Sequence, residues 1–212
     1  MNPFKDLTEG VIKGNLQTAV AETRRFLDDG WDVNKILEEG LFAAMDEVGQ
    51  RYSKGLVFVP EMLQSARVMQ GCMEVLRPLF QKAGLSPMGK VIIGTVKQDI
   101  HNIGKNLVIM MMEGGGFAVT DLGVDVSPKK FVQKALELEV DIVAMSALLS
   151  TTMIAMKETI EALKEAGIRD KVKVMIGGAP VTEQYAHQIG ADSYAPDAGS
   201  AVVEARRLLS GN

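Results

Sequence analysis

The strongest constraint on this chain is a change of hydrophobic period near its middle. From about residue 4 to residue 83 the apolar positions recur at helical spacing. Leu37, Leu41, Ala44 and Val48 fall 4, 3 and 4 apart, as do Met62, Ala66, Met69 and Met73. Breaks at Gly14-Asn15, Asp28-Asp29-Gly30 and Ser53-Lys54-Gly55 predict four helices near 4–13, 17–28, 33–52 and 59–83, a helical bundle. Residues 83–89 have the Gly and Pro content of a linker, and beyond them short β-branched runs alternate with amphipathic helices. Strands are expected at 90–96, 117–121, 141–146, 172–176 and 192–195, with helices near 103–114, 128–138, 152–166, 181–188 and 199–209. Such alternation gives an α/β domain with a doubly wound, parallel, five-stranded sheet. The expected organisation is a helical domain over 1–84, a linker over 85–89 and the α/β domain over 90–212.

Composition removes several function classes. The 23 basic and 27 acidic side chains are interspersed and leave a formal net charge of -4, which argues against a basic face for nucleic acid. The N-terminus has no signal-peptide pattern, and no run of about 18 apolar residues occurs, so neither membrane insertion nor export is expected and the cytoplasm is the expected location. The single Cys72 has no cysteine or histidine neighbour at metal-ligand spacing and reads as a small buried hydrophobe.

In open α/β sheets ligands bind beyond the carboxyl ends of the strands, where the winding reverses. The first strand is followed by Thr95-Val96-Lys97-Gln98-Asp99-Ile100-His101-Asn102-Ile103-Gly104-Lys105, with a carboxylate and an imidazole two residues apart in the loop entering a helix. A neutral imidazole is a good ligand for a late first-row metal, and a carboxylate on its other nitrogen fixes the tautomer and strengthens donation. Asp99 and His101 suit that pair, although a single Asp-x-His also reads as a surface hydrogen bond or a helix cap. The third strand ends in Ser146-Ala147-Leu148-Leu149-Ser150-Thr151-Thr152 and the fourth in Gly177-Gly178-Ala179. Those hydroxyls suit a polar ligand tail or a helix N-cap; the glycines suit a ligand lying against bare backbone or a tight turn. His187 reads as solvated, and Met110-Met111-Met112 as helix packing.

Taken together, Asp-x-His-x-x-Gly, then Ser-x-Leu, then Gly-Gly resembles the B12-binding domain of methionine synthase, methylmalonyl-CoA mutase and the methyltransferase corrinoid proteins. The intervals agree: 41 residues (105–145) separate Gly104 from Ser146, and 28 (149–176) separate Leu148 from Gly177. The resemblance implies a flavodoxin-like, Rossmann-like domain holding cobalamin or a related corrinoid in the base-off/His-on form. His101 is then the lower axial ligand of cobalt, Asp99 hydrogen-bonds to it, and Thr152 extends the relay. The displaced nucleotide tail is implied to run past Ser146, Leu148, Ser150, Gly177 and Gly178, with Pro196 or its neighbours near the last strand end.

Residues 54–62 followed by Ser65-Ala66-Arg67-Val68-Met69 are similar to the helical cap that precedes the B12 domain in methionine synthase and in the methylamine, methanol and methoxy-compound corrinoid proteins. In that family the cap covers the upper cobalt face with an aromatic residue near the methyl group. Phe58 is the matching position, and it also reads as a residue stapling the following helix. The function so implied is a methyl carrier that does not turn over alone. Cobalt(I) accepts a methyl group from a substrate-specific methyltransferase, and methylcobalt(III) gives it to a second methyltransferase with a folate or thiol acceptor. A reductive activase is a further expected partner, and a homodimer is possible. An adenosylcobalamin-dependent mutase subunit is disfavoured by the cap, and a B12-dependent sensor by the lack of a DNA-binding segment ahead of it. Sequence does not name the methyl donor, the acceptor or the corrinoid's lower base.

Overall fold

The computed structural model describes residues 3–83 and 87–210. The chain divides into two compact units, one comprising Met1–Ser86 with Gly114–Gly116 and the other Pro87–Glu113 with Phe117–Asn212. The expected linker, 85–89, falls partly outside the described residues.

The helical unit contains α1 (Lys5–Ile12), α2 (Leu16–Asp28), α3 (Val33–Lys35) running through a π-helical stretch (Ile36–Phe42) into α4 (Ala43–Ser53), and α5 (Val59–Ala83). Asn15 starts α2 by accepting from the Thr18 N–H, and Asp32 starts α3 by accepting from the Lys35 N–H, each relieving one orphan donor of its first turn. The stripe Leu37, Leu41, Ala44, Val48 is buried as its spacing predicts. The π turn is the departure from expectation: with more residues per turn, Ile36 and Gly40 are buried beside Leu37 and Leu41, so two adjacent columns face inward. Phe4, Phe26 and Trp31 pack together, with ring centroids 4.7 to 5.5 Å apart.

The second unit holds β1 (Lys90–Thr95), α6 (Ile103–Gly114), β2 (Ala118–Asp121), α7 (Pro128–Leu138), β3 (Ile142–Ser146), α8 (Ile154–Glu165), β4 (Lys173–Gly177), α9 (Glu183–Ile189), β5 (Ser193–Ala195) and α10 (Ala198–Ser210). Its five strands are all parallel, in the order β2-β1-β3-β4-β5. Val91, Ile92, Ile93, Val143, Met145, Val174 and Ile176 are buried, the near-continuous apolar runs of strands covered on both faces. Phe131, Met156, Ile160 and Leu163 of α7 and α8 join that core. Ser127 caps α7 ahead of a proline at its first position, and Thr182 caps α9. A short 3-10 turn (Arg169–Lys171) before β4 was not expected; Arg169 fastens it by donating to the Val172 and Gly190 carbonyls.

The winding reverses at β1: the chain leaves it for β2 on one side and returns with β3 on the other. Thr95 and Ser146, the last residues of the two strands, are register partners. The loops that follow, 96–102 and 147–153, therefore leave the sheet side by side.

Candidate functional site

Asp99 lies in the first of those loops and is fully buried. Its Oδ1 accepts from the His101 backbone N–H at 3.1 Å and faces Nδ1 of the His101 ring at 2.7 Å. Its Oδ2 accepts from the Leu148 N–H and from the Thr152 hydroxyl, each at 2.8 Å. Burial by itself raises a carboxyl pKa, but the Leu148 and His101 amides, the His101 ring and the Thr152 hydroxyl outweigh it and hold Asp99 well below the usual carboxylate range. An ionised carboxylate has no proton to give, so the proton in the 2.7 Å contact sits on Nδ1 of His101. In the neutral ring Nε2 then carries the lone pair, and the side chain is 46% exposed. A metal ligand prepared by a buried carboxylate has this form.

The geometry decides between readings that sequence leaves open. Asp99 is neither a surface residue nor the cap of α6, which begins three residues after His101's neighbour Ile100. Thr152 does not cap α8, whose N-cap position is Met153 with no side-chain cap bond. Its hydroxyl lies 2.8 Å from both Asp99 Oδ2 and the Leu149 carbonyl, and its one proton goes to the charged acceptor. α8 accordingly begins at Ile154, two residues later than expected.

The other expected residues gather at the same rim. Ser146 pairs in register with Gly177, and Gly177 with Ala195, while Leu148 and Ser150 are exposed in the loop after β3. The glycines have a protein reason of their own: a Cβ at Gly178, where φ is +125°, would lie 1.9 Å from the Ala147 carbonyl oxygen, and one at Gly177 would lie 2.8 Å from that of Ala195. Pro196 is exposed after β5, and His187 is exposed on α9. Phe58 belongs to the helical unit, where its N–H donates to Glu61 at 2.8 Å and its side chain is exposed. Cys72 is buried, as its apolar setting predicts.

Sequence reasoning missed several contributors. Thr95, wholly buried at the end of β1, donates its hydroxyl to the His101 carbonyl at 2.7 Å and pins the loop. Lys105, only 1% exposed at its side chain, donates to Asp121 at 2.7 Å and to Asn106 at 2.8 Å, tying the start of α6 to the end of β2. Ile100, Ile103, Leu149 and Ile154, like the expected Leu148, are large apolar side chains exposed in the loops and helix starts after β1 and β3. Apolar exposure of this kind beside a polar ligating group marks a ligand surface.

The donor set indicates what kind of metal fits. Among the described residues no group of three His, Cys, Asp or Glu side chains is arranged to hold a bare ion. A single imidazole supplies one donor, so a metal bound there brings its other ligands in a cofactor. Gly104 supports that fit: a Cβ built on it meets nothing within 4 Å, so no protein atom requires glycine at this helical position, where it costs about 0.5–1 kcal/mol relative to alanine. The bare backbone at the start of α6 would leave room for a bulky bound group.

Comparison with known proteins identifies the family of the chain. A family model described as a B12 binding domain matches residues 89–205, and a second of the same description matches residues 3–77. The dimethylamine corrinoid protein of Methanosarcina barkeri is 40% identical over 208 residues, covering 98% of this chain and 97% of its own. Trimethylamine corrinoid protein 2 of Methanosarcina acetivorans is 49% identical over 82% of this chain and 81% of its own. Among solved structures, a cobalamin-binding protein from Desulfitobacterium hafniense superposes with a TM-score of 0.85 at 28% identity, covering 98% of this chain and 99% of that one. The methanol:cobalamin methyltransferase complex MtaBC from Methanosarcina barkeri gives 0.81 at 26% identity, over 98% of this chain and 79% of the matched one. No helix among the described residues is long and apolar enough to cross a membrane.

Proposed function

This chain belongs to the B12-binding family of corrinoid proteins, and from that premise we infer that it binds a corrinoid and serves as the methyl-carrying component of a methyltransferase system. Its relatives are named as corrinoid proteins for dimethylamine and trimethylamine, and the complex it resembles is named as a methanol:cobalamin methyltransferase. A methyltransferase is therefore a partner. A second, acceptor methyltransferase using folate or thiol, a reductive activase, a homodimer and a cytoplasmic setting complete the reading.

The observation that carries it is the quadruply hydrogen-bonded Asp99, which keeps the proton on Nδ1 of His101 and the lone pair on Nε2. His101 is the proposed lower axial ligand, with the corrinoid base-off. When bound, the corrinoid supplies a cobalt whose reduced form takes up a methyl group and whose oxidised form releases it. The chain supplies orientation and electrostatics. Asp99 holds the Nδ1 proton, Thr152 holds Asp99, and together they set how strongly the imidazole donates. Gly104 leaves room at the start of α6, and the exposed Ile100, Ile103 and Leu149 offer an apolar bed that excludes water. Ser146, Leu148, Ser150, Gly177 and Gly178 are the proposed lining for the nucleotide tail. The helical unit is proposed to correspond to the family's cap, with Phe58 as its aromatic residue.

Reconstitution with hydroxocobalamin tests the reading. The purified chain should retain the corrinoid and, after reduction, accept methyl from a methylamine or methanol through a family methyltransferase. His101→Ala should keep much of the corrinoid but shift its visible spectrum to the unligated form. A spectrum indifferent to that substitution removes His101 as ligand; a bound corrinoid that takes methyl from none of these systems removes the carrier role.

A further inference from the structure

Beside the buried carboxylate, two residues that are not glycine hold left-handed backbone: Gln98 at φ +66° and Asp125 at φ +50°. Such φ values are uncommon outside glycine, tolerated by Asp better than by Gln, and they persist only where the surroundings impose them. These two impose them on each other. The Gln98 N–H donates to Asp125 Oδ1 at 2.7 Å, and the Asp125 N–H donates to the carbonyl of Asp99 at 2.9 Å. Both side chains are exposed, so neither residue is there to fill the core.

We propose that Asp125, in the loop between β2 and α7, is a positioning residue for cobalt ligation: it clamps Gln98 in the left-handed conformation and so aims Asp99 at His101. Gln98 immediately precedes Asp99, and its backbone torsions set the direction in which the Asp99 side chain leaves the loop. Asp99 N–H to the Val96 carbonyl at 3.1 Å closes a turn with Gln98 as its third residue, and Thr95 fixes the far side of the loop through the His101 carbonyl. With Asp125 gone, Gln98 relaxes to negative φ and the carboxylate turns away from the Leu148 amide and the Thr152 hydroxyl. The Nδ1 proton of His101 then loses the acceptor that fixes its tautomer. Asp125 acts through the backbone, by its bonds to the Gln98 N–H and the Asp99 carbonyl. The proposal rests on His101 being the cobalt ligand.

The test uses the full chain with Asp125→Ala, Asp125→Asn, and Asp125→Ala combined with Gln98→Gly. Two readouts are taken: the visible spectrum of bound hydroxocobalamin, and the imidazole Nδ1–H signal of His101 by nitrogen NMR without corrinoid. Loss of one charge-assisted hydrogen bond should lower the ratio of His-ligated to unligated corrinoid about tenfold in Asp125→Ala and broaden the Nδ1–H signal. Asp125→Asn keeps an acceptor oxygen and should restore both. Gln98→Gly removes the backbone penalty and should restore both in the Asp125→Ala background. If Asp125→Ala alone does not fold, recovery of folding and of the signal by Gln98→Gly has the same meaning. Wild-type readouts in Asp125→Ala overturn the proposal, as does a loss that Gln98→Gly leaves unrepaired. His101→Ala separates the two claims: if it leaves the corrinoid spectrum unchanged the ligation reading fails, while the NMR signal still decides the clamp.

Discussion

The hydroxyl of Thr152 reaches Oδ2 of Asp99 across 2.8 Å of space and 53 positions of sequence. The bond joins loops from β1 and β3, and it supplies one of four donors to a carboxylate with no access to water. Replacing Thr152 with Val keeps the shape and leaves Oδ2 short of a donor, at a cost of about 1–3 kcal/mol. Thr152→Ser retains the hydroxyl and should stay within about 1 kcal/mol of wild type. Urea unfolding of the two variants is the measurement; equal stability for both would mean that the hydroxyl contributes nothing.

The same carboxylate gives the protein an acid dependence of known sign. Because Asp99 is held below the ordinary carboxylate range when folded, its contribution is complete above the unfolded pKa of about 4 and is lost as the pH falls below it. Asp99→Asn has no such proton to gain. The stability gap between wild type and Asp99→Asn should therefore narrow between pH 6 and pH 3. A gap of constant size over that range contradicts an ionised Asp99.

Gly104 separates folding from binding. Alanine there meets no atom within 4 Å and improves helix propensity, so Gly104→Ala should leave the corrinoid-free chain unchanged or up to about 1 kcal/mol more stable. Corrinoid affinity should nevertheless fall, and a bulkier Gly104→Leu should abolish it. Calorimetric titration with hydroxocobalamin decides; undiminished affinity in Gly104→Leu would remove the start of α6 from the cofactor surface.

The Lys105–Asp121 pair is lopsided, with the ammonium almost fully buried and the carboxylate 43% exposed. Asp121→Ala strands a buried charge and should cost about 3–5 kcal/mol. Lys105→Met removes the charge and leaves a carboxylate that water can reach, so it should cost clearly less. Thermal unfolding of the two variants tests the order, and the reverse order refutes the assignment of burial.

Most of the architecture was legible because the physical signals were local. α6 and α7 begin and end where the apolar pattern placed them. The π turn was not legible, since Leu37 and Leu41 have the same spacing in a π-helix as in an α-helix interior. At the site, Asp99 and His101 were readable because they sit two residues apart in one loop, and Thr152 through the family pattern. Leu148 was chosen for a ligand tail, yet what touches Asp99 is its backbone amide, which has no side-chain signature. Lys105 reads as an ordinary helix cation, and only the fold buries it against Asp121. Asp125 and Gln98 escaped notice because left-handed backbone at a residue other than glycine leaves no mark in composition.

The order β2-β1-β3 has a consequence for biosynthesis. A nascent chain that has emerged only through β2 already contains both Asp99 and His101, but neither the amide nor the hydroxyl that holds the second oxygen of the aspartate. Its imidazole is free to exchange tautomers like any solvated histidine. The arrangement that fixes the Nδ1 proton of His101 is thus completed late, when the third strand slots in beside the first.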